Sequence, residues 1–427
     1  MCGTFCVGAL CRARITSDMR KWESALLTAI LILVLAIASA FALPRQSDSI
    51  CRAQPVATIS FVLFHNRVYL PVEVNGHQTF EMVLDTGAAM SGLSEAAASA
   101  VHLRAARKAE LVGNGESRLK IALANDVTFR LGGAELPEKS VAIVPYADLE
   151  EHEGRRIGGV LGVSLFRRYV VLIDYPTRTL SLYEPRDFIY SGPGDRVPLR
   201  LSPAALFSAV IELPDHDSIP CNLAVDLGTY SALRLYRPFL EKHHLVDQPG
   251  MDSFGFGLGG EFPERVGRVR ALRIGSLSLK GPSTSFSTAR GGATSGSSYD
   301  GTIGGEVLRR FKVILDYVHQ EMILEPGSDF SEPWAADTSG LLLRAGGADL
   351  KTIAVLHVLT NTPAAAAGIQ EGDIILSVDH RETLDLSLEG IRRLFTGPGH
   401  HHLLVRRGRQ VLDVDITTIA PLDYNSP

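Results

Sequence analysis

An internal repeat is the feature that most restricts the fold of this 427-residue chain. Residues 159–175 read GVLGVSLFRRYVVLIDY and residues 301–317 read GTIGGEVLRRFKVILDY, so identical residue types recur at a constant offset of 142 (301 − 159). Each copy then runs into a second β-rich stretch. A chain that repeats itself in this way is expected to fold into two structurally equivalent halves.

Each half also contains an apolar stretch that ends in an Asp-x-Gly turn. The first reads MVLDTGA over residues 82–88, and the second reads LAVDLGT over residues 223–229. Asp85 and Asp226 therefore lie 74 and 75 residues before the two repeated segments. A hairpin-like pattern precedes each turn. The two β-rich halves thus place one carboxylate at the same point of each half.

Composition limits the classes of protein that fit this sequence. Hydrophobic residues at 45% and charged residues at 21% allow folded cores, and 40 glycines with 7% aromatics favour turns over a helical bundle. A net charge of −5 without a long basic run argues against nucleic acid as a partner. The five cysteines form no Cys-x-x-Cys pair, and consecutive histidines (400–402) on a strand would point to opposite faces. We therefore predict no metal site and no cofactor.

The N-terminus carries an export signal. An apolar run over residues 25–38 follows Arg20 and Lys21 and is followed by Ala-Phe-Ala at 40–42, a pattern typical of a secretory signal cleaved after Ala42. The alternative is an uncleaved membrane anchor, because residues 25–43 approach the length of a spanning helix. Residues 43–58 form a linker in either case. The rest of the chain is expected to be periplasmic, extracellular or membrane-anchored, outside the cytoplasm.

Two equivalent halves can bring Asp85 and Asp226 face to face across one cleft. Carboxyl groups in contact disfavour the second ionisation, so such a pair holds one proton between its members. The ionised member can take a proton from a water molecule, and the protonated member can donate a hydrogen bond to a carbonyl oxygen. This arrangement predicts hydrolysis of amide bonds without a metal. The alternative for either motif alone is a turn that ends a strand.

This pattern resembles the aspartic proteases, especially retropepsin-like domains fused as a tandem pair in one chain. The resemblance covers about residues 60–326 and rests on the DTGA form at 85–88. In this family an apolar-apolar-Gly segment packs against the catalytic loop. Residues 160–162 match that segment, and residues 302–304 match it less strictly.

The resemblance implies a mostly β fold with two retropepsin-like β-barrel lobes, over residues 59–190 and 195–327, related by pseudo-twofold symmetry. It implies that Asp85 and Asp226 are the catalytic pair. Residues of the same loops are expected to support them: Thr86, Gly87, Gly228 and Thr229.

Leu227 departs from the family pattern, in which Thr or Ser is usual at this position. The missing hydroxyl normally takes part in a hydrogen-bond network between the two catalytic loops, so Thr86 is expected to make only its own half. Thr229 is expected to offer its hydroxyl to the Asp226 carboxylate and so to favour Asp226 as the ionised member. Leu227 also leaves open a second interpretation, a catalytically weak or inactive bilobal adaptor that binds polypeptides.

Two glycine-containing segments, 111–125 and 253–261, are candidates for mobile hairpins that cover the cleft. The Gly/Ser-rich segment 291–298 is expected to border the same cleft. The alternative for both hairpins is a flexible surface loop. The substrate class implied by such a covered cleft is extended polypeptide.

The C-terminal part of the chain has a different pattern. PAAAAG at 363–368 predicts a short helix, and GDIILSV at 372–378 predicts a buried strand. This pattern is similar to a PDZ domain, which we place at 339–420 after a linker at 328–338. The resemblance implies a loop and strand that receive a peptide carboxylate and add the peptide as an extra strand: Gly340, Leu341, Leu342 and Leu343. The alternative is a domain that only packs against the lobes.

These features together predict an exported aspartic endopeptidase that acts as a monomer on polypeptides. The PDZ domain is expected to dock substrate or partner peptides. The rival assembly is a homodimer in which each lobe pairs with its equal in another chain, and the duplication within one chain argues against it.

Overall fold

The structure is a computed structural model that describes residues 53–419, apart from positions 203, 215, 216, 297 and 335. The expected signal or anchor segment (1–42) and most of the linker that follows it lie outside the described residues. In the part of the chain that is described, no helix is long and apolar enough to cross a membrane.

The first half of the described chain contains most of one lobe and its connections. Its elements are β1 (Ala57–Ser60), β2 (Val62–Phe64), β3 (Arg67–Val74), β4 (Gln78–Leu84), β5 (Gly92–Ser94), α1 (Glu95–Ala100), β6 (Arg107–Val112), β7 (Arg118–Leu131), β8 (Ala134–Val144), α2 (Ala147–Glu153), β9 (Gly159–Leu161), α3 (Val163–Arg168), β10 (Val170–Asp174) and β11 (Thr179–Tyr183). The first strand begins at Ala57, inside the segment expected to be a linker.

The second half repeats most of this order, without a described counterpart of α2, and is followed by a third group of strands. The elements of the second lobe are β12 (Asp195–Pro198), β13 (Leu206–Glu212), β14 (Ser218–Val225), β15 (Leu233–Leu235), α4 (Arg237–Lys242), β16 (Gly250–Gly257), β17 (Gly260–Arg268), β18 (Ala271–Ile274), β19 (Leu277–Lys280), β20 (Ser283–Ser287), β21 (Gly301–Ile303), α5 (Gly305–Leu308), β22 (Phe311–Asp316) and β23 (Glu321–Pro326).

Each lobe is built on one barrel-like sheet, and the two sheets share their pairing pattern. In the first lobe the order is β2-β3-β4-β9-β5-β8-β7-β6, with a further β3–β7 pairing that curls the sheet. In the second lobe the order is β16-β17-β20-β15-β21-β14-β13-β18-β19. The strand before each Asp-x-Gly turn pairs in parallel with the strand of the repeated segment, β4 with β9 and β14 with β21. The predicted repeat is therefore a repeat of topology.

A third sheet joins the two lobes. Its order is β1-β11-β10-β22-β23-β12, so the central pair, β10 and β22, comes from the two copies of the repeat. These strands are antiparallel, with Val171 opposite Leu315 and Asp174 opposite Lys312. Buried apolar residues of both lobes form one continuous core beneath this sheet. The shared core fixes the two Asp-x-Gly turns relative to each other.

The C-terminal part is a small α+β unit with a core of its own. Its sheet has the order β24-β25-β26-β28-β29, and β27 pairs with β26. Its elements are β24 (Leu341–Gly346), β25 (Thr352–Val358), α6 (Pro363–Ala366), β26 (Ile374–Val378), β27 (Arg381–Glu382), a 3-10 turn (Thr383–Asp385), α7 (Leu388–Leu394), β28 (Gly399–Arg407) and β29 (Gln410–Thr418).

The connection between the lobes and this unit is held in place by Arg310. This side chain is fully buried, and its guanidinium donates hydrogen bonds to the carbonyls of Asp329 and Glu332 at 3.0 and 2.6 Å. It also lies 3.6 Å from the ring centroid of Trp334. The segment 328–338 is therefore packed against the second lobe along much of its length.

Candidate active site

The two Asp-x-Gly turns are anchored in the same way in both lobes. The N–H of Asp85 donates to the carbonyl of Leu161 at 2.9 Å, and the N–H of Asp226 donates to that of Ile303 at 3.0 Å. Each carboxylate therefore lies at the end of a buried strand, directly beside the apolar-apolar-Gly segment of its own lobe. These equivalent anchors explain why the spacing of 74 and 75 residues recurs in the sequence.

Glycine is required where the repeated segment crosses each turn. A Cβ on Gly162 would lie 2.7 Å from the carbonyl oxygen of Ala88, and a Cβ on Gly304 would overlap Thr229 and Ser231. Real Cβ atoms are not found at such distances, so the backbone can approach only without a side chain. The recurring Gly in the two segments thus has a packing role.

The structure brings Asp85 and Asp226 close together. A Cβ on Gly228 would overlap the Asp85 carboxyl, and a Cβ on Gly87 would lie 2.9 Å from Asp226 Oδ1 and 3.1 Å from Asp85 Oδ1. The two carboxyl groups therefore face the same small space between the loops. Each also accepts a backbone N–H of its own loop, from Gly87 to Asp85 at 2.7 Å and from Gly228 to Asp226 at 3.0 Å. Both side chains are half-buried at the floor of a cleft.

Burial and mutual repulsion shift the titration of this pair. Burial and then the charge of Asp226 raise the pKa of Asp85, against the N–H donors of its loop. Burial also raises the pKa of Asp226, while the nearby positive charge of Arg234 opposes that rise. The guanidinium of Arg67 lowers both pKa values. The balance favours ionisation of Asp226 before Asp85.

Thr86 makes a hydrogen-bonded tie between the two loops. Its buried hydroxyl donates to the carbonyl of Val225 at 2.7 Å and accepts the N–H of Leu227 at 3.0 Å. Leu227 occupies the equivalent place in the other loop, where it is 1% exposed and packs into the shared core. The tie between the loops is therefore one-sided, because only the first lobe supplies a hydroxyl.

The expectation for Thr229 is wrong in its detail. Its hydroxyl lies 3.3 Å from that of Ser231 instead of contacting the Asp226 carboxylate. Its carbonyl accepts the N–H of Gly305 at 2.8 Å. The charge of Arg234 therefore lowers the pKa of Asp226 without help from the Thr229 hydroxyl.

Two hairpins close the cleft above the carboxyl pair. They are β6–β7 of the first lobe and β16–β17 of the second, which include the segments expected to act as covers. Their tips touch, with the N–H of Gly115 donating to Leu258 at 2.9 Å and that of Ser117 donating to Gly259 at 3.1 Å. A cavity of about 490 Å³ lies between the tips and the carboxyl pair. Ala293, in the Gly/Ser-rich segment, also lines it.

The cavity is a mixture of apolar walls and a polar floor. Its walls come from both hairpins and from the first-lobe sheet, and include Val83, Leu111, Ile121, Tyr146 and Phe256. The carboxyl pair and Arg67 form its polar floor. A cleft with apolar walls and convergent polar groups at the base is the usual form of a substrate site.

Gly340, Leu341, Leu342 and Leu343 form the turn into β24 and the first half of that strand. Gly340 has φ +80 and leads into β24, which is an edge strand, and α7 lies beside that edge. The end of β24 nearest Gly340 opens into a cavity of about 570 Å³ that His65 and Tyr230 of the lobes also line. The predicted carboxylate-binding loop therefore faces the protease lobes.

The groove between β24 and α7 is occupied by the C-terminal end of α2. Arg392 of α7 donates to the carbonyls of both His152 and Leu343 at 2.8 Å, so the α2 end is held between the two walls. A Cβ on Gly154, just after α2, would lie 2.6 Å from the Leu388 Cβ. The PDZ-like unit thus packs against the first lobe through the surface on which peptide docking was expected.

Two residues of the site have no signal in the sequence. Arg67 contacts the loop that carries Asp226, and Glu153 forms an ion pair with Arg67. They come from β3 and α2, with no motif or spacing that links them to the Asp-x-Gly turns. Their position becomes visible only when the two lobes are assembled.

Within the described residues, no group of three His, Cys, Asp or Glu side chains could hold a metal ion. The consecutive histidines instead contact separate partners. His400 lies 2.8 Å from Thr417, His401 lies 3.0 Å from Asp379, and His402 forms an ion pair with Asp413.

Known families match this chain in two places. The family model described as aspartyl protease matches residues 70–165, which contain Asp85 and the β9 segment. The family model described as PDZ domain matches residues 355–407. No curated protein is significantly similar to the chain.

The chain therefore carries an aspartyl protease domain and a PDZ domain within a mostly β fold, as the sequence predicted. The second lobe lies outside both matched ranges. Its equivalence to the first lobe rests on the shared strand pairing and on the matched anchors of Asp85 and Asp226. These domains support a protease-type function with a peptide partner.

Proposed function

We propose that this protein is an exported aspartic endopeptidase in which Asp85 and Asp226 activate a water molecule between them. The single observation that carries the proposal is the close approach of the two carboxyl groups beneath two meeting hairpins. Two carboxyls in contact share one proton, which makes one a base and the other an acid at the same pH. No metal or covalent intermediate is needed for amide hydrolysis by such a pair.

In the proposed mechanism Asp226 is the ionised member and Asp85 carries the proton. The pKa shifts support this division, since the charge of Asp226 raises the pKa of Asp85. Asp226 takes a proton from the water as its oxygen attacks the peptide carbonyl, and Asp85 donates a hydrogen bond to the carbonyl oxygen. The hairpins exclude bulk water and hold the peptide in an extended form.

The test is peptide cleavage by the secreted chain and by two single variants. Fluorescein-labelled casein serves first to detect cleavage, and a fluorogenic peptide is then made from a sequenced cleavage site. Asp85→Asn and Asp226→Asn are each expected to lower kcat by several orders of magnitude. Asp174→Asn is the matched control, because Asp174 occupies a strand end in the same lobe and pairs with Lys312 on the surface sheet.

The outcome also separates the enzyme from the adaptor interpretation that Leu227 raises. Native turnover that survives in either dyad variant would reject the shared-proton mechanism. A native chain that binds casein without cleaving it would instead favour the adaptor. A homodimer is tested by the mass of the active species in light scattering, and we propose a monomer because one chain supplies both carboxyls.

Export is a proposal that rests on the sequence pattern at residues 20–42. N-terminal sequencing of the mature protein decides between cleavage after Ala42 and retention of the segment as an anchor. Cleavage yields a first residue of Leu43, whereas an anchored form remains with the membrane fraction. Recovery of the intact chain from the cytoplasm would contradict export in both forms.

We also propose that the PDZ domain docks a peptide C-terminus, and that the end of α2 leaves the groove when it does. The free carboxylate would bind N–H groups of the loop that begins at Gly340, and the peptide would pair with β24 as an added strand. Because α2 lies along the same groove, the free peptide competes with an internal segment. Binding is therefore expected to be weak in the native chain.

Gly154 offers a way to test this competition. It has φ +70, and a side chain there would collide with Leu388, so Gly154→Val is expected to push the end of α2 out of the groove. Gly281→Val is the matched control, because Gly281 has φ +60 and no atom within 4 Å of an added Cβ. The probe is a labelled hexapeptide with a free C-terminal Val, and its amidated form controls for the carboxylate.

Tighter binding of the free-acid probe to Gly154→Val than to Gly281→Val supports docking with displacement. Equal binding by the native chain, Gly154→Val and Gly281→Val would reject docking with displacement. Equal binding of the free-acid and amidated probes would reject it as well. The PDZ domain would then be a packing unit of the protease lobes.

A further inference from the structure

Arg67 ties the first lobe to the second catalytic loop. It is the first residue of β3, its side chain is 7% exposed, and its Nε donates to the carbonyl of Gly228 at 2.6 Å. Gly228 directly follows Leu227 and accepts this bond from the opposite lobe. The contact is therefore a second tie between the lobes, independent of the Thr86 hydroxyl.

Glu153 holds the guanidinium of Arg67 in this position. It is the last residue of α2 and 1% exposed, and its Oε2 lies 2.5 Å from Arg67 Nη1. His65 Nδ1 approaches the same oxygen at 2.9 Å. The ring of Tyr230 also lies beside Arg67, with its centroid 5.2 Å from the guanidinium carbon. This ring stacks on the His65 ring, and the two centroids are 4.1 Å apart. The Arg67 side chain is thus held by the Glu153 carboxylate, the Gly228 carbonyl and the Tyr230 ring.

The charges of this pair are consistent with a permanent ion pair. Burial raises the pKa of Glu153, but the charges of Arg67 and His65 outweigh burial and hold it well below its usual range. Burial lowers the pKa of Arg67, but Glu153 outweighs it and the net shift is upward. A buried charge of either sign without its partner would be costly. Both groups therefore stay ionised across the range in which the carboxyl pair titrates.

The contacts made by Thr86 and Arg67 hold the backbone on both sides of Asp226. Thr86 fixes the backbone at Val225 and Leu227, while Arg67 fixes it at Gly228. In the related pattern a second hydroxyl, at the position of Leu227, would share this task. Leu227 instead packs into the core and donates no side-chain hydrogen bond. Arg67 supplies from the first lobe a polar contact that Leu227 cannot supply from the second.

We propose that Arg67, held by Glu153, is a positioning residue that takes the place of the missing second hydroxyl and fixes the Asp226 loop against Asp85. This inference rests on the proposed protease function. It assigns Arg67 no contact with the reacting atoms. It also makes the active site depend on α2, whose end lies in the PDZ groove.

The first experiment removes both members of the ion pair. Arg67→Met with Glu153→Gln keeps similar volumes and leaves no buried unpaired charge, so folding is expected to survive. Loss of the tie should lower kcat/KM for the fluorogenic peptide on the order of 10-fold to 100-fold, the range expected for a small misplacement of a reacting group. Because the Arg67 charge lowers the pKa of both carboxyls, both limbs of the pH–rate profile should move to higher pH.

The second experiment restores the missing hydroxyl. Leu227→Thr is added to the double variant, and Leu227→Val, which has nearly the same shape without the hydroxyl, is its matched control. Both changes remove apolar volume from the core and carry a similar cost in stability. Only the Thr variant can form the second half of the network. It should recover a large part of the lost kcat/KM, and the Val variant should recover none.

The results distinguish this inference from the protease proposal itself. Native cleavage that requires Asp85 and Asp226 establishes the protease whatever the Arg67 variants do. Given that cleavage, an unchanged kcat/KM in the folded double variant would overturn the positioning role. Equal activity of the Thr and Val variants would overturn the replacement of the hydroxyl. Shifted limbs together with rescue by Thr alone support both steps.

Discussion

The hydroxyl of Thr86 accepts the N–H of Leu227 at 3.0 Å and spans the boundary between the two lobes. The same hydroxyl donates to Val225 at 2.7 Å, so one small side chain of the first lobe fixes two peptide groups of the second. Leu227 gives no such bond in return. The two carboxyl-bearing loops are therefore held unequally, although the strands that lead to them are equivalent.

Thr86→Val is expected to destabilise the chain and to lower its activity. The change keeps the shape of the side chain but leaves the Val225 carbonyl and the Leu227 N–H buried without a partner. Each such group costs about 1–3 kcal/mol. Chemical denaturation should show this loss, and kcat/KM should fall with it. Thr86→Ser retains the hydroxyl and is the control, so equal losses in Val and Ser variants would contradict the role of the two hydrogen bonds.

The contribution of Asp85 to the stability of the fold is expected to fall as pH rises above about 4, the usual range of an Asp carboxyl. Burial and then the Asp226 charge raise the pKa of Asp85, so the folded state binds more protons than the unfolded state above that pH. Unfolding free energy therefore decreases with pH until the folded-state pKa is passed. Asp85→Asn should flatten this dependence and raise the melting temperature at neutral pH. A steeper decline in the variant would contradict the raised pKa.

The contact between the hairpin tips predicts a specific effect of Gly115→Ala. A Cβ at this position would overlap the backbone of Gly259 and Gly260, so the tips must separate. Hydrogen exchange at the Gly115 and Ser117 amides should become faster, and KM for the fluorogenic peptide should rise. Gly296→Ala is the control, since nothing lies within 4 Å of its added Cβ. Unaltered exchange in the Gly115 variant would show that the tips do not hold each other in solution.

The sequence predicts the duplicated architecture because the repeat and the Asp-x-Gly turns are local patterns with fixed spacing. Asp174 and Asp316, for example, end the equivalent strands that pair at the centre of the shared sheet, as their repeat positions suggest. Local patterns also predict the short helix that begins at Pro363 and the strand after Asp373. These elements depend on the neighbouring residues alone, so one sequence is enough to place them.

The contacts between distant segments could not be predicted in this way. Arg67 has an ordinary strand sequence around it, and only the assembled lobes bring it to Gly228. The Thr229 hydroxyl was assigned by family resemblance, whereas the local turn directs it to Ser231. The occupied PDZ groove depends on how α2 meets α7, which no spacing encodes. The sequence thus indicates the two paired carboxyls more clearly than the groups that hold them.

Arg392 provides the last prediction, because it links the PDZ groove to the ion pair beside the active site. It donates to the His152 carbonyl, one residue before Glu153, and so holds the end of α2 that positions Arg67. Arg392→Met should loosen this end and lower kcat/KM, with both limbs of the pH–rate profile moved in the same direction as in the Arg67 variants but by less. Arg393→Met is the matched control, since this neighbour is exposed and pairs only with Glu389 on its own helix. The same profile for both arginine variants would mean that α2 keeps its place without the PDZ contact, and that the groove and the carboxyl pair act separately.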